Sequence, residues 1–182
     1  TEDLDEPLGD EDVDVVVELF GGTTTAREVV REALSAGKDV VTANKALLAE
    51  HGDELYRLAR QAGRSIAFEA SVGGGIPVIA ALRNAFVGER IESLYGIVNG
   101  TCNYVLTRML DAGLAYEDAL AEAQQKGYAE ADSALDVEGL DSAHKLAVLT
   151  RLAFGVNVAL DDIVCEGITG VDLKDVEKAG GK

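Results

Sequence analysis

Short apolar runs alternate with longer amphipathic stretches along the first half of the chain. Val13 to Phe20 (VDVVVELF) is a β-branched run of strand length, and its near-continuous apolar character predicts a strand buried on both faces. The turn Gly21-Gly22-Thr23-Thr24-Thr25 leads into a helix over about Ala26 to Ala36. Next come a strand at Asp39 to Thr42, a helix from about Lys45 to Gln61, and a strand at Ser65 to Ala70. The glycine turn Gly73-Gly74-Gly75 then opens a helix from Pro77 to about Phe86, with Pro77 suited to its first turn. Strands alternating with helices at this spacing predict βαβ units and a parallel sheet.

After Gly88 the pattern changes. Ile91 to Val98 (IESLYGIV) reads as a strand, followed by helices at about Thr101 to Asp111, Tyr116 to Lys126 and Asp141 to Phe154. In the last of these, Leu146, Leu149 and Leu152 lie along one side, with Ala143, Ala147 and Ala153 between them, and read as core. A strand at Ile163 to Ile168 and a polar tail complete the chain. The first dozen residues (TEDLDEPLGDED) show no period and read as an acidic loop. The expected organisation is therefore a leader over residues 1–12, a sheet domain over 13–75 and an α+β domain over 76–182.

Composition narrows the class. With 182 residues and 47% apolar content the chain can bury a substantial core. Its longest apolar runs fall far short of a membrane span, and no basic-then-apolar leader is present, so a cytoplasmic location is the default. Cys102 and Cys165 lack metal-ligand spacing and read as small buried or half-buried residues. The formal net charge of −17, from 33 acids and 16 bases, argues against nucleic acid or an anionic membrane as partner. Arginine outnumbers lysine nine to seven. An acidic, lysine-poor surface is what a high-salt cytoplasm requires, with an ordinary acidic protein as the alternative.

The chemistry concentrates between Gly127 and Lys145 (GYAEADSALDVEGLDSAHK), where Glu130, Asp132, Asp136, Glu138 and Asp141 precede one lysine. Carboxylates this dense repel one another unless a cation, a substrate ammonium or Lys145 sits among them. Asp141 and Lys145 are four residues apart and share a helix face. That is a pocket for a small zwitterion beside an acid/base group, or an exposed acidic loop followed by a weak surface ion pair.

Four segments together resemble the central portion of the homoserine dehydrogenase family. VVTANKALLA (Val40 to Ala49) is similar to its Ala-Asn-Lys segment, FEASVGGGIPVI (Phe68 to Ile79) to its acid and glycine turn, and GIVNGTCNYVL (Gly96 to Leu106) to its substrate-domain entry. The fourth is the long family signature, matched by Ala123, Gly127, Tyr128, Ala129, Asp132, Asp136, Gly139, Asp141 and Lys145, with Ser133 where the family has proline. The resemblance implies an α/β protein: the C-terminal part of a Rossmann-like parallel sheet, then an α+β substrate and dimerisation domain. Nothing before Val13 resembles the family's phosphate-binding glycine loop, and the chain stops short of the family's last strands. The resemblance thus implies a central segment, truncated at both ends, that binds NAD or NADP weakly by itself.

The implied reaction interconverts L-aspartate 4-semialdehyde and L-homoserine, within threonine, methionine and isoleucine biosynthesis, by hydride exchange with the nicotinamide. By similarity Lys145 is the proton donor, a role an ammonium can fill at neutral pH. Glu130 and Asp141 are implied ligands of the substrate ammonium, with Asp136, Thr101, Gly100 and Tyr128 nearby. Lys45 is implied near both nicotinamide and substrate, where its charge favours oxyanion character; otherwise it is an exposed first-turn lysine. Thr23 matches a cofactor-contacting position, with helix capping the equal alternative. Gly127 matches another, with a helix-ending glycine as its alternative. Glu69, Val72, Gly74 and Ile76 correspond to the family's sodium site, one carboxylate and several carbonyls suiting a hard cation. His51 and His144 are assigned no site role, and a homodimer is a family expectation. Two other readings stand beside the dehydrogenase: a non-catalytic amino-acid-binding or dimerising remnant, and a related oxidoreductase acting on another amino-acid semialdehyde.

Overall fold

The computed structural model describes residues 4–179. In chain order its elements are α1 (Asp5–Gly9), β1 (Val15–Glu18), α2 (Thr24–Ser35), β2 (Asp39–Thr42), α3 (Lys45–Ala62), β3 (Ile66–Ala67), α4 (Val78–Ala80), α5 (Gly100–Ala112), α6 (Tyr116–Gln125), α7 (Ala134–Val137), α8 (Leu140–Phe154) and α9 (Leu173–Ala179). They form two compact units, one of residues 1–94 with 144–162, the other of 95–143 with 163–182.

The first unit is built on a parallel sheet of order β1-β2-β3, with Val15 opposite Asp39 and Val40 opposite Ile66. Parallel neighbours need crossovers, and α2 and α3 supply them. The apolar stripe of α2 (Ala26, Val29, Val30, Ala33, Leu34) and that of α3 (Leu47, Leu48, Leu55, Ala59) are buried, as helices covering a sheet must be. Lys38, only 4% exposed, donates through Nζ to the carbonyls of Asp10 and Val13 at 2.5 and 2.7 Å, which ties the N-terminal segment to the head of β2.

Two expectations for this unit are overturned. β1 is not buried on both faces: Val15 and Val17 are 48% and 59% exposed, and the fully buried side chain is the acid Glu18. The two valines lie on one face of the sheet, and Val41, opposite Val17 in β2, is 38% exposed as well, so that face is left uncovered. Within the acidic leader residues 5–9 are helical, with Pro7 in the first turn where its missing N–H costs nothing; residues 1–3 lie outside the described residues. The helix expected from Pro77 to about Phe86 is present, as the α-helical turn Val78–Ala80 continued by a π-helical turn over Ala81–Ala85, where Phe86 N–H reaches back to the Ala81 carbonyl at 3.0 Å.

The second unit packs α5 against α6 around Val105, Met109, Ala119, Ala123 and Ala129. Alanines at the facing positions of α6 let the two helices approach closely. The polar tail forms α9, and its Leu173 and Val176 pack onto this cluster. Its start is closed reciprocally: Asp172 Oδ1 accepts from Asp175 N–H at 2.9 Å, and Asp175 Oδ2 from Asp172 N–H at 3.2 Å. Residues 91–98 and 163–168, expected as strands, carry no ladder pairing among the described residues. β-Branched composition alone does not make a strand where no partner backbone runs alongside. Leu146, expected in the core, is 39% exposed, because the buried stripe of α8 runs through Ala143, Ala147, Val148 and Leu149.

Two predictions follow from this packing. A Cβ built on Gly167 would lie 2.7 Å from the Val137 carbonyl oxygen, which also accepts Ile168 N–H at 2.8 Å. Gly167→Ala should therefore destabilise by about 2 kcal/mol in denaturant unfolding, because backbone and not a flexible side-chain end has to move. On the surface of the same unit, Lys126, Tyr104 and Arg108 all donate to Glu122, at 2.7 to 2.9 Å, and hold its carboxyl down at about 2. A depressed carboxylate stabilises above its unfolded pKa and loses that contribution as pH falls through the folded value. The stability gap between wild type and Glu122→Gln should thus be present at pH 7 and close between about pH 5 and pH 2.

Candidate active site

At the C-terminal ends of β1 and β2 the turns into α2 and α3 are joined by one polar network. Glu18, 0% exposed, accepts Phe20 N–H through Oε1 at 2.6 Å and the Thr42 hydroxyl through Oε2 at 2.5 Å. Thr42 Oγ1 accepts Asn44 N–H at 2.9 Å, and the Asn44 side chain donates to the Gly22 carbonyl at 2.7 Å. Asn44 also caps α3, its Oδ1 accepting Leu47 N–H at 3.0 Å. This places Lys45 as the first residue of that helix, half-buried. Thr23 sits at the N-cap of α2, and its side chain makes no capping hydrogen bond, so the capping alternative is not realised. In an open parallel sheet these strand ends are where ligands bind.

Further along, Glu69 turns both carboxylate oxygens to the head of α4, accepting Ile79 N–H at 3.0 Å and Ala80 N–H at 2.8 Å. The loop between them curls through Gly73 and Gly74 at φ of +84° and +58°, values that favour glycine. Val72 is buried while Gly74 and Ile76 are exposed. One carboxylate among backbone carbonyls is a donor set of the hard-oxygen kind, though Glu69 is already occupied by two backbone donors.

In the second unit the signature residues converge on Asn99. Its Nδ2 donates to Asp136 Oδ1 at 2.8 Å and to Asp141 Oδ2 at 2.9 Å, while its Oδ1 accepts Cys102 N–H at 2.8 Å and so caps α5. The Thr101 hydroxyl lies 2.8 Å from the Tyr128 carbonyl and 3.1 Å from Asp136 Oδ2, and Cys102 Sγ lies 3.2 Å from the Asp136 carbonyl. Asn99, Thr101 and Asp141 are 6%, 7% and 6% exposed, so this is a built polar centre and not a solvated acidic loop.

Thus Thr101, Asp136, Asp141 and the Tyr128 backbone come together. Gly100 opens α5 beside them and is exposed. The side chain of Glu130 lies outside this network: it is exposed, and its backbone carbonyl accepts from Gln124 at 3.2 Å. The Tyr128 ring packs on Tyr104 with centroids 4.9 Å apart. Gly127 follows the end of α6 at φ +74°, the helix-ending role. Lys145 is half-buried, on the same helix as Asp141 and four residues on. Asn99, Glu18, Thr42 and Asn44 are the polar residues that sequence reasoning missed. The signal for both asparagines was present, since each immediately precedes a helix at a capping position.

Comparison with known proteins places these residues in a lineage. The family model described as homoserine dehydrogenase matches residues 77–182, and that described as homoserine dehydrogenase, NAD binding domain, matches residues 1–69. The homoserine dehydrogenase of Pseudomonas aeruginosa is 50% identical over 98% of the chain, which spans 41% of that relative. A crystal structure of a homoserine dehydrogenase from Thiobacillus denitrificans superposes with a TM-score of 0.91 at 47% identity, over 98% of this chain and 40% of that one. A hyperthermophilic archaeal homoserine dehydrogenase in complex with NADPH gives 0.81 at 29% identity, over 94% of this chain and 53% of its own. The helix-rich α/β architecture with its small parallel sheet is theirs, and the chain belongs to the homoserine dehydrogenase family, a family of NAD(P)-dependent oxidoreductases.

Proposed function

We propose that this chain contributes the substrate-binding residues and part of the cofactor-binding residues of an enzyme interconverting L-aspartate 4-semialdehyde and L-homoserine. The observation that carries the reading is the buried centre in which Asn99 and Thr101 orient Asp136 and Asp141. Asp141 within it, together with the exposed Glu130 outside it, is assigned to the substrate ammonium, and Asp136, Thr101, Gly100 and Tyr128 to the walls around it. Asp136 is reached by neutral donors, which orient a carboxylate without cancelling its charge and leave it attractive to a cation. Lys145 carries the proton given to the C4 oxygen as alkoxide character develops, and takes it back in the oxidative direction. Lys45, held at the head of α3, stabilises negative charge on that oxygen. Thr23 and Gly127 are assigned to the cofactor, NAD or NADP, which when bound supplies or accepts the hydride.

Residues 13–75 are read as part of the dinucleotide-binding domain and 76–182 as part of the substrate domain. Glu69 with the carbonyls of Val72, Gly74 and Ile76 is read as a sodium site that would fix the loop before α4. No helix among the described residues is long and apolar enough to cross a membrane. A cytoplasmic homodimer acting in the aspartate-derived amino-acid pathway, with a surface suited to high salt, completes the reading.

The test is a chimera in which these residues replace the matching segment of the Pseudomonas aeruginosa relative. It should oxidise L-homoserine with NADP, and Lys145→Ala should lower kcat by about 10³-fold without unfolding the protein. A folded chimera without turnover would instead favour the non-catalytic remnant. Asn99→Ala in the same chimera removes the amide that the two carboxylates share, and should raise the KM for L-homoserine about tenfold while kcat falls less. An unchanged KM would remove Asn99 from the positioning role.

A further inference from the structure

The first unit holds a second concavity, remote from the ends of β1 and β2. Its volume is about 350 Å³, and four of the chain's nine arginines line it: Arg60, Arg64, Arg83 and Arg151. Lys45 opens α3 and Arg60 lies in its last turn, so about 22 Å of helix axis separates this concavity from the cofactor edge.

Two of the guanidinium groups are held in place. Arg151 lies 4.6 Å from the centroid of the Tyr56 ring and is braced from behind by Asn157 and by Asp53, the latter at 3.4 Å. Asn157 also donates to Asp53 at 2.8 Å, and these contacts keep the Asp53 carboxyl below its usual range. Arg83 lies 5.8 Å from the centroid of Phe68, and the two rings themselves pack at 5.5 Å. Burial raises the Tyr56 hydroxyl above its ordinary range, so it brings no negative charge. Arg60 and Arg64 are exposed at the rim, and no carboxylate is among the described lining residues. Arg151 already has Asp53 as a partner, but gathering the other three guanidinium groups at a concavity with no carboxylate among its described lining residues costs repulsion that an anion would relieve.

We propose that this concavity binds a small multivalent oxyanion, a phosphate ester or a polycarboxylate, clamped by Arg60, Arg64, Arg83 and Arg151 above the Tyr56–Phe68 pair. Planar guanidinium forks suit both oxyanions, which they can engage through paired N–H donors. The volume admits a metabolite-sized ligand and not a macromolecular segment.

The test follows thermal unfolding of the chain with pyrophosphate or citrate against sodium chloride at matched ionic strength. Either probe should raise the midpoint saturably, and the one that does identifies a phosphoryl or a carboxylate ligand. Arg60→Gln/Arg64→Gln should weaken that response at least about tenfold in concentration. The midpoint of this double variant without anion should not fall, since mutual repulsion has been removed. Arg57→Gln, on the same helix and outside the lining, should respond as wild type does. The proposal is overturned if neither probe exceeds chloride, if the double variant responds unchanged, or if Arg57→Gln loses the response as well.

Discussion

A carboxylate withdrawn from water must be given donors, and in a chain with 33 acids that constraint decides which turns can form. An ion buried without partners costs several kcal/mol, whereas each hydrogen bond to a charged group returns about 1.5–3 kcal/mol. Glu18 meets the constraint with the Phe20 N–H and the Thr42 hydroxyl. Thr42 then receives Asn44 N–H, and Asn44 caps α3. The position of Lys45 therefore descends through three hydrogen-bonded residues from one buried acid at the end of an edge strand.

The second unit repeats this solution with an amide. Asn99 has two side-chain donor hydrogens and an acceptor, and all its functions are used: one carboxylate on α7, one on α8, and the Cys102 N–H at the head of α5. Three helices are thus registered on a single buried side chain. An alanine there would take one donor from each acid and the cap from a helix, in a centre that is closed to water at Asn99 and Thr101 yet is made almost wholly of polar groups.

What could be read from the chain depended on whether the cause was local. The helices α2, α3, α5, α6 and α8 begin and end within about two residues of the positions their periodicity implies, because caps and apolar stripes are properties of adjacent residues. Ile91 to Val98 and Ile163 to Ile168 have strand composition, but pairing is decided by what lies alongside. The same limit hid Glu18, whose role depends on Thr42, a residue 24 positions away. Of the acidic stretch from Glu130 to Asp141, spacing set Asp141 apart through Lys145, and the family resemblance named Glu130 and Asp136 beside it without distinguishing their surroundings. Only the fold separates Asp136 and Asp141, oriented by Asn99, from Glu130, which turns to solvent.

This separation bears on how an acidic chain tolerates its own charge. The contacts that build the two polar networks lie between 2.5 and 3.2 Å, comparable with the roughly 3 Å screening length at 1 M salt. Repulsion between surface carboxylates acts over longer distances and is removed at that salt, while the buried hydrogen bonds, shielded from ions, keep their strength. Added salt should therefore relieve the surface without loosening the site. The acids held in the buried networks are those whose geometry depends least on the medium, and the exposed ones are those whose mutual repulsion depends on it most.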